Sequence, residues 1–401
     1  MIDWVLPILY WAISPGLLDS TTTLRSLLIP IISFYLFTKT PIKLQNFKIP
    51  FAILILITLG YTISWQLNNQ NLVNFLFGAY GRGLGIITLI GVFLFFILCA
   101  ENYGGKIQRI TQINYLVLIF CVSYVVIQII GIDPLPWEKG AGPGGTLGNP
   151  NFSSALMGIL SVVPLHYILN SKAKPIMHIL IYFITFLAIY QTNSRQGIVL
   201  FFLGFISLLV LHSVKKQESK LNMKWLYVGA GSLVITGLFI LTKYFDQIDS
   251  ALQIKNRIEH WKLGYQIWQD YPLFGVGIDN IQRYGGEYRN LQMREWGLDL
   301  IPDRLHNTFI DYFVTGGVIV GFLWIFFVMF TLIQVYKCFN KKYFHQDIIP
   351  LALIWVLYLI QCSFSPDQLV IMMSAISAIG SLLGFVIKKK RKIDYEITTN
   401  Y

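Results

Sequence analysis

DRLHNTFIDYFVTGGVIVGFLWIFFVMFTLIQVYK (303–337) begins on a polar cluster, Asp303, Arg304, His306 and Asn307, and continues as a nearly unbroken apolar run from 308 to 336. A helix rises about 1.5 Å per residue, so a run of this length spans the roughly 30 Å of hydrocarbon in a bilayer. Polar side chains feeding directly into such a run belong at a membrane mouth. Outward from this stretch, further apolar segments lie at about 4–18, 24–38, 50–65, 83–99, 112–131, 150–168, 176–191, 196–213, 224–242, 347–363 and 368–387, twelve in all. The first two are short, and the same residues also read as one re-entrant pair.

Composition supports the bilayer as solvent: 55% of the 401 residues are hydrophobic and 13% charged, with mean hydropathy +0.59, too little polar surface for a water-soluble globule. The expected fold is all-α, a polytopic integral membrane protein with about 12 transmembrane helices in a single membrane domain over 1–401. The first apolar stretch follows a Met-Ile-Asp start without a basic region or small-residue cleavage site and is expected to be retained. The net charge of +11 reads as lysines held in cytoplasmic loops, and no nucleic acid is expected as a partner. Cys99, Cys121, Cys338 and Cys362 are scattered through apolar segments without metal-ligand spacing, so neither a disulfide framework nor a zinc site is expected.

With both termini inside, 19 of the 31 basic residues fall in short cytoplasmic segments, including the tail 388–401, which satisfies the positive-inside rule. The other face is unusual: eight of the ten arginines fall there, namely Arg25, Arg82, Arg195, Arg257, Arg283, Arg289, Arg294 and Arg304. A guanidinium is a planar fork that grips phosphate oxygens in pairs, which lysine cannot do. Arginines that cap helices and pair with neighbouring acids would give the same distribution. One external loop, 243–307, is much longer than the rest. Within it, IKNRIEHWKLGYQIWQDYP (254–272) places Ile254, Ile258, Trp261, Tyr265 and Trp268 near helical spacing, the pattern of an amphipathic helix lying on the outer interface. Loops of such length are usually functional.

Three stretches on this face are polar and glycine-rich. GAGPGGTLGNPNFSSA (140–155) precedes a helix opening at Asn149 to Phe152; glycines let backbone N–H groups approach a ligand, and a flexible loop would look the same. QTNSRQG (191–197) is a tight turn that puts Arg195 at the membrane mouth, either holding a ligand or snorkelling. In DRLHNTFIDYFVTGGVIVG (303–321), Asp303 as N-cap would place His306 in the first helical turn, where the helix dipole keeps the imidazole neutral, as a general base requires. A structural histidine is the alternative.

Taken together and in this order, GTLGNPNF, NSRQG, the R-x-x-x-W of Arg257 and Trp261 followed by YPLFGVGIDN (271–280), and DRLHNTFIDYFVTGGVIVG resemble the O-antigen ligase and O-antigen polymerase superfamily. The likeness runs from about residue 80 onward. It implies transfer of a glycan from an undecaprenyl-pyrophosphate carrier to an acceptor hydroxyl on the outer face of the bacterial cytoplasmic membrane. It also implies arginines on the pyrophosphate (Arg195, Arg257 and, from GAYGRGLG, Arg82) and His306 as base or as the group that orients the acceptor. Asn149, Asn151, Trp261 and Asn307 would position donor or acceptor, either a glycan or a lipid. Guanidinium groups stabilise a leaving pyrophosphate without a metal, and no Asp-x-Asp or His-rich set appears, so metal independence, no cofactor and inversion are expected. Two competing classes are a flippase or transporter of lipid-linked sugars, which would show repeats and interrupted helices at mid-membrane, and an assembly protein without chemistry.

Overall fold

A computed structural model describes residues 23–79, 81–133, 135, 142–170, 175–216, 254–289, 302–339 and 344–399, together with Asp3, Val5 and Ile8. Apolar segments within these residues form helices, because hydrocarbon offers no water to backbone N–H and C=O groups and a helix satisfies them internally. In chain order they are α1 (Thr23–Lys39), α2 (Lys48–Leu67), α3 (Leu72–Phe77), α4 (Ile86–Tyr103), α5 (Ile107–Ile130), α6 (Pro150–Leu160), α7 (Val162–Asn170) and α8 (Pro175–Gln191). They continue with α9 (Arg195–Lys216), α10 (Ile254–Asp270), α11 (Ile281–Gly285), α12 (Thr308–Cys338), α13 (Ile348–Cys362) and α14 (Leu369–Thr399).

Among the described residues there is no strand, and seven helical stretches are long and apolar enough to cross a bilayer: Leu44–Leu67, Ile86–Tyr103, Ile107–Ile130, Pro150–Asn170, Arg195–Ser213, Thr308–Cys338 and Leu369–Lys392. Pro175–Gln191 and Ile348–Cys362 are shorter apolar helices. The protein is thus all-helical and multi-pass. The expected segment 224–242, almost all of 4–18, and the loop portions 243–253 and 290–301 lie outside the described residues. The segment expected as one helix over 150–168 is two, divided at Ser161, whose hydroxyl bonds back to Gly158 O (2.7 Å).

α14 is buried along 369–386 and forms the middle of the bundle. Lipid is as apolar as the helices, so association depends on close packing, which small residues permit. Gly384 lets α14 touch α4 at Ala100, and Gly158 of α6 meets α9, where an added Cβ would lie 2.6 Å from Gly197 O. That second contact brings GTLGNPNF beside NSRQG.

α12 is not the continuous helix its sequence suggests. At Gly317 the backbone leaves helical geometry (φ 65°, ψ −169°), and the segment 272–277 enters the break. Val276 N–H donates to Val314 O (3.0 Å), Gly277 N–H to Thr315 O (2.9 Å), and Val318 N–H to Pro272 O (2.8 Å). Any Cβ at Gly317 would run into the Leu273 backbone. Ser64 Oγ and Asn68 Nδ2 hold Gly275 O from α2 at 3.1 and 2.9 Å. Irregular backbone at membrane depth is tolerated where protein satisfies it in this way.

α10 forms where expected, and its buried side takes in part of the aromatic stripe, Trp261 and Trp268. Glu259, Leu263, Gly264 and Ile267 are buried, whereas Tyr265 is 56% exposed. The cause is a small second core: Leu263 and Ile267 pack with Val276, Ile281, Leu305 and Val314, and Gly264 leaves room for the Leu305 side chain. The described crossings alternate so that the connecting residues 68–79, 81–85, 142–149, 192–194, 302–307 and 363–368 lie at one end of the bundle, joined by Arg82–Asp303 and Asn307–Ser363 contacts.

Candidate active site

The segment 302–307 is short, polar and held at nearly every residue. Arg82 Nε donates to Asp303 Oδ2 at 2.6 Å. Arg304 pairs with Asp279, whose other carboxylate oxygen accepts from Ala79 N–H at 2.6 Å. Leu305 N–H donates to Asp311 Oδ1 at 2.9 Å. Asn307 Nδ2 donates to Ser363 O at 2.9 Å. A buried ion pair is weak support for stability by itself, but removing one partner leaves a stranded charge. Burial works against the Arg304 charge, yet Asp279 and then Asp311 outweigh it and hold the guanidinium above its ordinary pKa.

These contacts correct one expectation. The N-cap of α12 is Asn307, not Asp303: its side chain accepts from Phe309 N–H (3.0 Å) and Ile310 N–H (3.2 Å). His306 therefore lies one residue outside the helix, in left-handed backbone at φ 55°. Asp279 has the same strain at φ 57°. For a non-glycine residue this costs of order 1–3 kcal/mol and persists only where the surroundings over-determine it. Asp303 instead serves as the partner of Arg82, whose bond and charge hold its carboxyl below the ordinary range despite burial.

The His306 ring is neutral for a different reason from the helix dipole. Burial is the largest cause, followed by the neighbouring His260 and Arg257, with Asp303 opposing and Arg82 adding; together they bring its pKa down to about 4. His260 of α10 stacks on His306, with ring centroids 5.2 Å apart and planes 27° apart. Arg257, one turn earlier on α10, lies over the Phe364 ring at 5.9 Å, and burial lowers its pKa. Four buried polar atoms in this neighbourhood have no hydrogen-bond partner: Arg257 Nη1, His260 Nδ1, Trp261 Nε1 and His306 Nδ1. Buried polar atoms in folded proteins are nearly all partnered, so these four have hydrogen bonds left to make with a polar ligand or with water.

A groove of about 300 Å³ adjoins these residues, lined by Arg82, Gly148, Asn149, Phe152, Asp303 and Gln368 among others. Arg82 lies over Phe152 at 6.0 Å. Asp367 lines both this groove and a second cavity with Tyr61, Asp279, Arg304 and Asp311.

Of the residues singled out in the sequence, Arg82 and Asn149 thus meet in the groove, while Arg257, Trp261 and His306 gather beside it. Asn149 and Asn307 each cap a helix, Asn149 accepting from Asn151 N–H at 2.9 Å. Asn151 is exposed in the first turn of α6, and Arg195 is exposed at the first position of α9; neither lines the groove. Arg25 is fully buried in α1 and donates to Thr146 O at 2.6 Å, holding the GTLG turn. Sequence reasoning missed His260, Asp279, Asp311 and Asp367. His260 was within reach, since it follows Arg257 by three residues and so shares its helix face.

Fold and site together define a multi-pass helical membrane protein with an arginine–histidine constellation at one mouth of its bundle. A family model described as O-antigen ligase matches residues 180–325, and this match supports membership of the O-antigen ligase family and a membrane glycan ligase- or polymerase-type function. The matched stretch contains NSRQG, YPLFGVGIDN and DRLHNTFIDYFVTGGVIVG; GTLGNPNF precedes it. No curated protein matches the chain.

Proposed function

We propose that the protein is a glycosyltransferase of the outer face of the bacterial cytoplasmic membrane, moving a glycan from an undecaprenyl-pyrophosphate carrier to an acceptor hydroxyl. The observation that carries this reading is the gathering of Arg257 and His306 with unmet buried polar atoms on both. The hydroxyl oxygen attacks the anomeric carbon, the bond from that carbon to the pyrophosphate oxygen breaks, and its electron pair leaves with the pyrophosphate. His306 takes the hydroxyl proton, a role that requires the neutral ring. Arg257 and Arg82, together with Arg195, stabilise the charge growing on the leaving group without a metal. Asn149, Asn151 and Trp261 position donor or acceptor, and Asn307 acts through the cap that fixes His306. One direct displacement inverts the anomeric centre. A polysaccharide polymerase would use the same donor chemistry with a growing glycan as acceptor.

The break in α12 favours one other class, since transporters of lipid-linked sugars use interrupted helices. Here backbone from 272–277 fills the break, which supports the transferase. Purified protein given an undecaprenyl-pyrophosphate-linked oligosaccharide and an acceptor, with chelator present, distinguishes the two. Release of undecaprenyl pyrophosphate is the expected result; movement of intact lipid-linked sugar between leaflets without release contradicts the proposal.

A further inference from the structure

We propose that His260 is a positioning residue of the site: stacked on His306, it fixes the orientation of that imidazole and competes with it for the single proton the pair can hold. The inference deepens the transferase reading, and its kinetic arm rests on it. The geometry is an offset stack at 5.2 Å and 27°, in which neither Nδ1 has a protein partner. No hydrogen bond joins the two rings, so His260 acts on His306 through contact and charge rather than by passing a proton. Two cations at that separation in a partly buried site repel strongly, so whichever ring is charged first suppresses the other.

The ring needs such support. His306 is left-handed and outside its helix, so nothing in the α12 backbone directs its side chain. The Asn307 cap fixes the main chain, and the stack is the contact that fixes the plane of the imidazole. Charged and titratable groups facing it are Arg257 and His260 from α10, Asp303 from its own loop and Arg82 from the 78–85 loop. His260 itself faces Arg257, Asp303 and Glu259, the last bonded to Lys262 at 2.6 Å. The surroundings thus hold three cationic side chains, counting Lys262, and two carboxylates before either ring takes a proton. Lowered pKa values for both histidines agree with competition.

The test is titration of histidine ring signals by NMR in the full chain, with pH–rate profiles alongside. In the unaltered protein, the His306 signal is expected to move twice, once when His260 gains its proton and again when its own ring does. His260→Phe keeps a flat ring but removes the competitor. The His306 titration should then rise by about one pH unit, and the acid limb of transfer should move up equally. His260→Ala should also reduce kcat about tenfold or more at pH 8, and His260→Phe should restore it. Independent single-step titrations in the unaltered protein, or a His306 titration unmoved in His260→Phe, overturn the proposal. Coupled titrations in a protein that transfers no glycan leave the ring competition standing and defeat the transferase reading alone.

Discussion

The histidines at the two ends of the bundle are held in opposite ways. At the end where α7 and α13 meet, His166 uses both ring nitrogens, Nε2 with Asp347 Oδ1 at 3.1 Å and Nδ1 with Asn170 Nδ2 at 3.2 Å, and His178 Nδ1 meets Tyr115 OH at 2.8 Å. At the other end His260 and His306 stack on each other, and each leaves Nδ1 buried without a partner. The first arrangement joins helices through hydrogen bonds to the histidine rings. The second is strained at φ 55°, flanked by Arg257 and Arg82, and keeps ring nitrogens that no protein group engages. Burial of a histidine does not distinguish structure from chemistry; unmet ring nitrogens beside unmet guanidinium atoms do.

That contrast can be broken or sharpened by substitution. His306→Ala should lower transfer by about 10²–10⁴-fold, the range for losing a positioned base, and Arg257→Ala by about 10²–10³-fold; both should keep normal protein levels and melting temperature. Arg257→Lys should not restore activity, because an ammonium cannot grip two phosphate oxygens in one plane. Next in size is a stability effect: Arg304→Ala strands the buried Asp279 carboxylate and should cost about 3–5 kcal/mol, read as a lower melting temperature in detergent. Transfer should hold steady from pH 8 down to 5 and fall near pH 4, where His306 gains its proton. The same shift has a stability sign. An unfolded imidazole takes a proton near 6.5, so between there and about 4 the unfolded state binds more protons, and stability should fall as pH drops through that window. At the far end, His166→Phe should lower the melting temperature while changing transfer less than about twofold, as expected for a distant site. A large loss of transfer from that variant would erase the distinction between the two ends.

Much of this was legible in the sequence. Apolar runs fixed the class of fold because membrane length and helix rise leave little choice, and two of the polar blocks, GTLGNPNF and DRLHN, contribute residues to one groove. The helix break at Gly317 was not legible: VTGGVIVG looks like small residues for helix packing, and only a tertiary partner, the carbonyls and amides of 272–277, makes it a gap. The true cap was hidden by ambiguity in DRLHN, where Asp303 and Asn307 are both good cap residues and the choice was settled by Asn307 reaching Ser363 O. The Arg304–Asp279 pair joins residues 25 apart across a satellite core that no local pattern announces. The aromatic stripe of α10 was read correctly as a period, but which of its rings close onto protein was not legible: Trp261 and Trp268 pack on the satellite core while Tyr265 stays exposed, and Gly264 and Leu305, distant in sequence, shape that contact.

The central claim is that Arg257 and His306 act on one bound lipid pyrophosphate, and in vitro transfer tests it most directly. Purified unaltered protein, Arg257→Ala and His306→Ala would each be given an undecaprenyl-pyrophosphate-linked oligosaccharide and acceptor with chelator present, and released undecaprenyl pyrophosphate measured. The account predicts release by the unaltered protein and loss of about 100-fold or more in both variants. Release at the unaltered rate from well-folded variants would contradict it.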